Sequence, residues 1–152
     1  MRKREKEITE KKSLEEIIKK AEICRLAMCN EGLPYIVPLC FGYEDDALYF
    51  HCAHEGKKID ILRRNPEVCF EIEIDQEIIG AEDACRWTMK YRSVIGFGTV
   101  EFIEDDKQKR RALNIIMRQY SDGSFSFPDK NFGLTEIIRV DIRNMTGKQS
   151  GY

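Results

Sequence analysis

Residues 67–75, EVCFEIEID, alternate almost without fault. Val68, Phe70, Ile72 and Ile74 fall on one side, and Glu67, Cys69, Glu71, Glu73 and Asp75 on the other. Successive side chains of a strand point to opposite faces, so a period of two predicts a strand with one face in a core. Such a strand needs others to pair with it, and the chain supplies them. ICRLAMC, LPYIVPLCFGYE, ALYFHC, YRSVIGFGTVEFIED and TEIIRVDIRNMTGK all read as strands. NEG at 30–32 and EDD at 44–46 are turn sequences that fold the first three of these into a meander. Pro38 within LPYIVPLCFGYE marks an edge, a bulge or a ligand beside backbone that makes no ladder bond. Gly96 and Gly98 mark a bend or a close backbone approach.

Three helical segments interrupt the strands. SLEEIIKKA opens on Ser13 with Glu16 three residues later, a capping-box pattern, and places Leu14, Ile17, Ile18 and Ala21 on one face. GKKIDILRRN offers Ile59, Ile61 and Leu62 to a core and stops before Pro66. DKQKRRALNIIMRQYS points Ala112, Leu113, Ile116 and Met117 inward. QEIIGAEDACRWTMK follows neither period and reads as irregular, and DGSFSFPDKNFG reads as a loop. Six strands without βαβ alternation predict a mainly antiparallel barrel with helices across its openings. The 152 residues suit one domain, 1–152.

Charge narrows the function classes. With 25 basic and 27 acidic residues the net charge is -2, so no strong field draws nucleic acid or a membrane surface. The apolar runs are too short to span a bilayer. The opening MRKREKEITEKK has no apolar stretch of a secretory signal and reads as a frayed arm or the lead-in to a helix. Six cysteines, at 24, 29, 40, 52, 69 and 85, form no CxxC pair, and five lie in strand-like runs. That usage fits small buried hydrophobes with reduced thiols, hence a cytoplasmic protein.

The chemistry-bearing residues are few. Lys57 and Lys58 stand in the first turn of the second helix, where the macrodipole favours negative charge. An anion bound there removes the conflict; a solvated turn with outward lysines is the plainer reading. HCAH at 51–54 suggests a metal, yet on a strand His51 and His54 point to opposite sides, and no metal site is expected. Cys52 lies near both histidines in sequence, although a strand cysteine among apolar neighbours is usually inert. There is no GxSxG, GxGxxG or P-loop. Trp87 and Tyr91 suit either core packing or the wall of a planar-ligand pocket.

Four segments together carry a family likeness: MRKREKEI, PYIVPLCFGYEDDALYFHCAHEGKKIDILRRNP, YRSVIGFGTVEFIEDDKQKRRAL and RVDIRNMTGK. The chain resembles the flavin-binding split-barrel proteins related to pyridoxamine 5′-phosphate oxidase, and most of all their 5-nitroimidazole reductase (Nim-type) branch. The resemblance implies an antiparallel split barrel that binds FMN, or FAD, at a homodimer interface. It implies that Lys57 and Lys58 grip the flavin phosphate and that His51 and Cys52 lie beside the phosphate and ring. Val37, Pro38, Leu39 and Cys40 would border the isoalloxazine, and Arg92 and Ser93 would reach it from the long strand. Lys57 stands where the oxidase usually has arginine, and Ser93 where it has glutamine. The tryptophan and arginine with which the oxidase recognises its vitamin B6 substrate have no match in RNMTGKQSGY. The expected activity is therefore an FMN-dependent reductase passing electrons from a nicotinamide or other donor to a small planar acceptor, with Arg92 favouring reduced flavin and His51 as proton donor. Haem ligated by His51 or His54, and a non-catalytic flavin carrier or sensor, are the alternatives.

Overall fold

Alternation in the strands and amphipathic spacing in the helices fix most of the architecture. The computed structural model describes residues 4–128 and 135–152. The elements are β1 (Glu7–Ile8), α1 (Lys11–Lys20), β2 (Cys24–Asn30), β3 (Leu33–Leu39), β4 (Gly42–Glu44), β5 (Ala47–Ala53), α2 (Lys57–Arg64), β6 (Glu67–Ile79), β7 (Thr88–Ile103), α3 (Asp106–Arg118) and β8 (Thr135–Ser150). All strand pairs are antiparallel, in the order β3-β2-β6-β7-β8-β5-β4, with β1 added to β8. Among the described residues the sheet does not close and β3 has a partner on one side alone, giving a split barrel of six long strands with flanking helices. No helix among the described residues is long and apolar enough to cross a membrane.

The inward faces form the main core. Leu26, Phe50, Phe70, Ile72, Val94, Ile138 and Val140 fill the barrel, with Leu14, Ile17 and Ile18 of α1 and Ile61 and Leu62 of α2 packed against it. A smaller core lies outside the barrel, where Ala112, Ile115 and Ile116 of α3 cover Ala47, Tyr49, Ile103 and Ile137. Ile115, rather than Met117, supplies the buried position of α3. Asp105 caps that helix by accepting a bond from the Gln108 N–H at 2.9 Å.

Several expectations are corrected. Ser13 does not cap α1: the helix begins at Lys11 after Glu10, and Ser13 Oγ donates to Glu10 Oε2 at 2.8 Å. The N-terminal arm is not frayed over its described residues, because Glu7 and Ile8 pair with Lys148 and Gly147. LPYIVPLCFGYE is two strands, and the meander is broken between them. Among the described residues β3 pairs only with β2 and β4 only with β5, at opposite ends of the sheet. The crossing is fixed by Phe41, whose side chain is fully buried and whose N–H donates to the Tyr120 hydroxyl at 2.9 Å. The stretch 76–90 is largely a hairpin rather than irregular. After a bulge at Asp75, φ +58°, Ile78 pairs with Met89 and Ile79 with Thr88. Its period was hidden because the ribbon projects past the core, with Ile78 71% and Trp87 58% exposed. Cys40 lies just beyond β3 and is exposed, so four cysteines rather than five sit in strands; all six are free. Residues 129–133 of the expected DGSFSFPDKNFG loop lie outside the described residues.

The twin glycines serve packing within the chain. A Cβ on Gly96 would strike the Phe70 ring, and one on Gly98 would strike Val140 and the Asp141 carbonyl. Gly42 is equally constrained: a Cβ there would lie 2.6 Å from the carbonyl of Ile115 in α3. Gly42→Ala must push α3 off β4, at a cost of about 1–3 kcal/mol. Urea unfolding should show the midpoint falling with an unchanged slope; an unchanged midpoint would mean that α3 yields freely.

Candidate functional site

The start of α2 meets both β3, through Lys57 and Tyr35, and β5, through Lys58 and Cys52. Tyr35, Val37 and Leu39 of β3 and Cys52 of β5 are each half-buried against the core. Pro38 and Cys40 alternate with them and face outward, exposed. The N-terminus of α2 therefore stands beside Tyr35 and Cys52. Ile59, Ile61 and Leu62 bury the helix, and Asn65 Nδ2 ties its far end to the Cys29 carbonyl at 3.1 Å. Its near end starts at Gly56, φ +125°, without a side-chain cap. Lys57 Nζ lies 4.6 Å from the centre of the Tyr35 ring. Lys58 is half-buried and lies within electrostatic reach of Cys52. Among the described residues neither lysine has a carboxylate partner. Two cations beside an uncapped helix N-terminus can hold an anionic group, with backbone N–H groups as further donors. The residues present therefore fit a phosphate ester.

His51 and Cys52 diverge. Leu48, Phe50 and Cys52 point toward the barrel core, whereas Ala47, Tyr49 and His51 face the α3 side. There the exposed His51 borders an apolar hollow of about 150 Å³ formed with Leu113, Phe127, Ile137 and the stem of Lys109. Burial pushes the Cys52 thiol up; Lys58 opposes that and Glu136 adds to it. The thiol is therefore held protonated, and no Cys–His nucleophile is assembled. His54 turns instead to Glu136, Nδ1 to Oε2 at 2.7 Å. Among the described residues no group of three or more His, Cys, Asp or Glu side chains is placed to hold a metal ion.

Arg92 and Ser93 lie elsewhere in the chain. Tyr35 shares a row of the sheet with Met28, Val68 and Gly98, and Arg92 is six residues further along β7. At ~3.3 Å per residue that is about 20 Å along the strand. Arg92 there pairs with Asp75 at 3.4 Å, stacks 4.4 Å from the Tyr152 ring, and borders a polar hollow of about 400 Å³ beside α1. Ser93 points to the opposite, outer face of the sheet, beside Glu73 and Lys148 in register. One chain does not bring this pair to the lysines. Trp87 is exposed rather than core, its Nε1 donating to the Ala81 carbonyl at 2.8 Å.

Two features went unread in the sequence. Glu136 pairs in register with Cys52 and shares its parity with Ile138 and Val140, so an acid on the inward face of TEIIRV was the available signal. The outer face of β7 carries exposed Met89, Ile95 and Phe97, continued by Ile78 opposite Met89 on β6 and by Ile36 in the row of Phe97 on β3, with β2 and β6 between. Treating Ile95 and Phe97 as ordinary members of a long strand concealed that unpartnered face.

A sequence profile described as pyridoxamine 5′-phosphate oxidase matches residues 10–149. The chain belongs to this family. A solved structure of a candidate 5-nitroimidazole antibiotic resistance protein from Bacteroides thetaiotaomicron VPI-5482 is 40% identical, with 94% of this chain and 86% of that one covered and a TM-score of 0.85. The FAD- and haem-binding protein of Mycobacterium smegmatis superposes with a TM-score of 0.86 over 97% of this chain and 74% of that one, at 22% identity, a likeness of fold. An uncharacterised protein of Rhizobium meliloti (strain 1021) is 36% identical over 56 residues, 37% of this chain; the matched part spans 36% of that relative's length. The split barrel of this pyridoxamine 5′-phosphate oxidase family member is thus the fold of flavin-binding proteins.

Proposed function

We propose that the chain is an FMN-dependent reductase of small planar acceptors, drawing electrons from a nicotinamide donor. The observation that carries this reading is the pair Lys57–Lys58, which stands without a carboxylate partner among the described residues on the uncapped end of α2 beside Tyr35 and Cys52, in a chain of this family. In this reading Lys57, Lys58 and the first-turn N–H groups hold the phosphate, and the β3 segment Val37–Cys40 borders the ring. Bound flavin would supply the redox chemistry, and the chain supplies grip, orientation and a proton. The hollow beside His51 suits one small ring, since a cavity of about 150 Å³ accepts benzene, and His51 at its rim is the proton donor. The lysines stand on the Cys52 side of β5 and His51 on the other, so in this reading the ligand reaches round the C-terminal end of that strand. The 40% identical candidate nitroimidazole resistance protein favours a nitroaromatic acceptor. The visible spectrum of the purified protein tests the cofactor, and steady oxidation of a nicotinamide donor with a nitroimidazole tests the activity. A colourless or haem-like spectrum, or flavin without turnover on any acceptor, would refute the reading.

A homodimer belongs to the same reading. Met89, Ile95 and Phe97 form an apolar outer face that a second copy would cover, and Arg92 and Ser93 would then serve the flavin held by the lysines of the other chain. Sedimentation at micromolar concentration should give twice the 17.8 kDa of one chain. Ile95→Glu with Phe97→Glu should give monomers. A flavin-loaded wild-type monomer would remove the dimer.

A further inference from the structure

Lys58 and Glu136 flank Cys52, one lowering and the other raising its tendency to stay protonated. They are opposite charges around one thiol, yet they do not pair with each other. Glu136 is spoken for. It stands on β8 in register with Cys52, its side chain is only 12% exposed, and its Oε2 takes a bond from His54 Nδ1 at 2.7 Å. A carboxylate that withdrawn from water keeps a partner at almost any cost. His54 belongs to the link between β5 and α2, directly before the helix end that carries the lysines.

We infer that His54 is a positioning residue that occupies Glu136 and so leaves Lys58 free to grip an anion. The inference rests on the phosphate-site reading above. Lys58 acts on the same thiol as Glu136, so without His54 it is a cation open to that carboxylate, and a Lys58–Glu136 pair would cancel half of the charge offered to a phosphate. The role is therefore specific to the phosphate end of the ligand. It predicts a loss that disappears when the stray carboxylate is removed as well.

The test compares FMN with riboflavin, which share the ring and differ by the phosphate, on the full chain stripped of ligand. His54→Ala should weaken FMN about tenfold and leave riboflavin unchanged, a change of about 1.4 kcal/mol carried by the phosphate alone. His54→Asn, which keeps a donor near the position of Nδ1, should retain wild-type FMN affinity. His54→Ala combined with Glu136→Gln should recover the FMN affinity lost by His54→Ala. If the double variant stays as weak as His54→Ala, or if FMN and riboflavin weaken together, the pair only braces the link and the inference fails. It also fails if His54→Ala changes neither ligand. Lys57→Ala with Lys58→Ala, measured alongside, separates the two levels. A wild type that does not prefer FMN to riboflavin, or a lysine variant that keeps that preference, overturns the phosphate site itself and the role of His54 with it.

Discussion

Replacing Lys57 and Lys58 together by alanine should yield a folded protein that purifies without colour. The fold should persist because α2 is held by Ile59, Ile61, Leu62 and Asn65, none of which the change touches. Alanine is also the strongest helix former, so the first turn is not weakened. What is lost is charge at a helix end that offers no side-chain cap of its own. Hydrogen bonds to a charged group contribute about 1.5–3 kcal/mol each, and two of them set FMN affinity by about two to four powers of ten. Neither lysine has a carboxylate partner among the described residues, so removing them strands no buried acid. Circular dichroism and melting temperature should match the wild type while the flavin absorbance vanishes. Full flavin occupancy in the double variant would show that the phosphate is held elsewhere.

The strands were legible wherever burial was one-sided. Residues 67–75 announced β6 because Val68, Phe70, Ile72 and Ile74 all enter one core. Legibility ended where the chain left that core. Beyond the bulge at Asp75 the ribbon of Ile78, Trp87 and Met89 has no interior to face, so no period marks it. Long-range pairing was equally silent. Nothing local tells that Leu39 ends a strand at one edge while Gly42, two residues past Cys40, begins one at the other; that depends on Phe41 entering the core and on Tyr120, 79 residues away. At the site, Lys57 and Lys58 were legible because charge in a helix first turn is a local conflict. Glu136 was not, because its meaning comes from standing across the ladder from Cys52 and bonding His54, 82 residues distant in the chain. The glycines show the converse error. Gly96 and Gly98 did mark close approach, but to Phe70 and β8 of the same chain.

His51→Ala should keep its flavin and lose turnover, by about 10²–10⁴ if the imidazole delivers a proton as a general acid. The retention follows from geometry. His51 lies on the face of β5 away from Cys52, and its side chain is exposed, so its removal leaves the barrel core and the lysine end intact. The loss follows from the hollow. Leu113, Phe127 and Ile137 give an acceptor an apolar seat, and the aliphatic stem of Lys109 extends it. His51 is the imidazole on that rim, a side-chain type that serves as a general acid. Reduction of the nitro group of a nitroaromatic takes up protons with its electrons and releases its oxygen as water, so a fixed proton source beside the acceptor raises the rate of the step that electrons alone leave incomplete. The measurement that separates this role from simple seating is the division between kcat and KM. A proton donor lowers kcat with little change in KM, whereas a wall residue raises KM. His51→Gln, which fills similar space and cannot act as an acid, should be as slow as His51→Ala. If His51→Gln restores kcat, His51 only shapes the hollow. If both variants turn over every acceptor at the wild-type rate, the proton comes from solvent, and the flavin acts without help from this side chain.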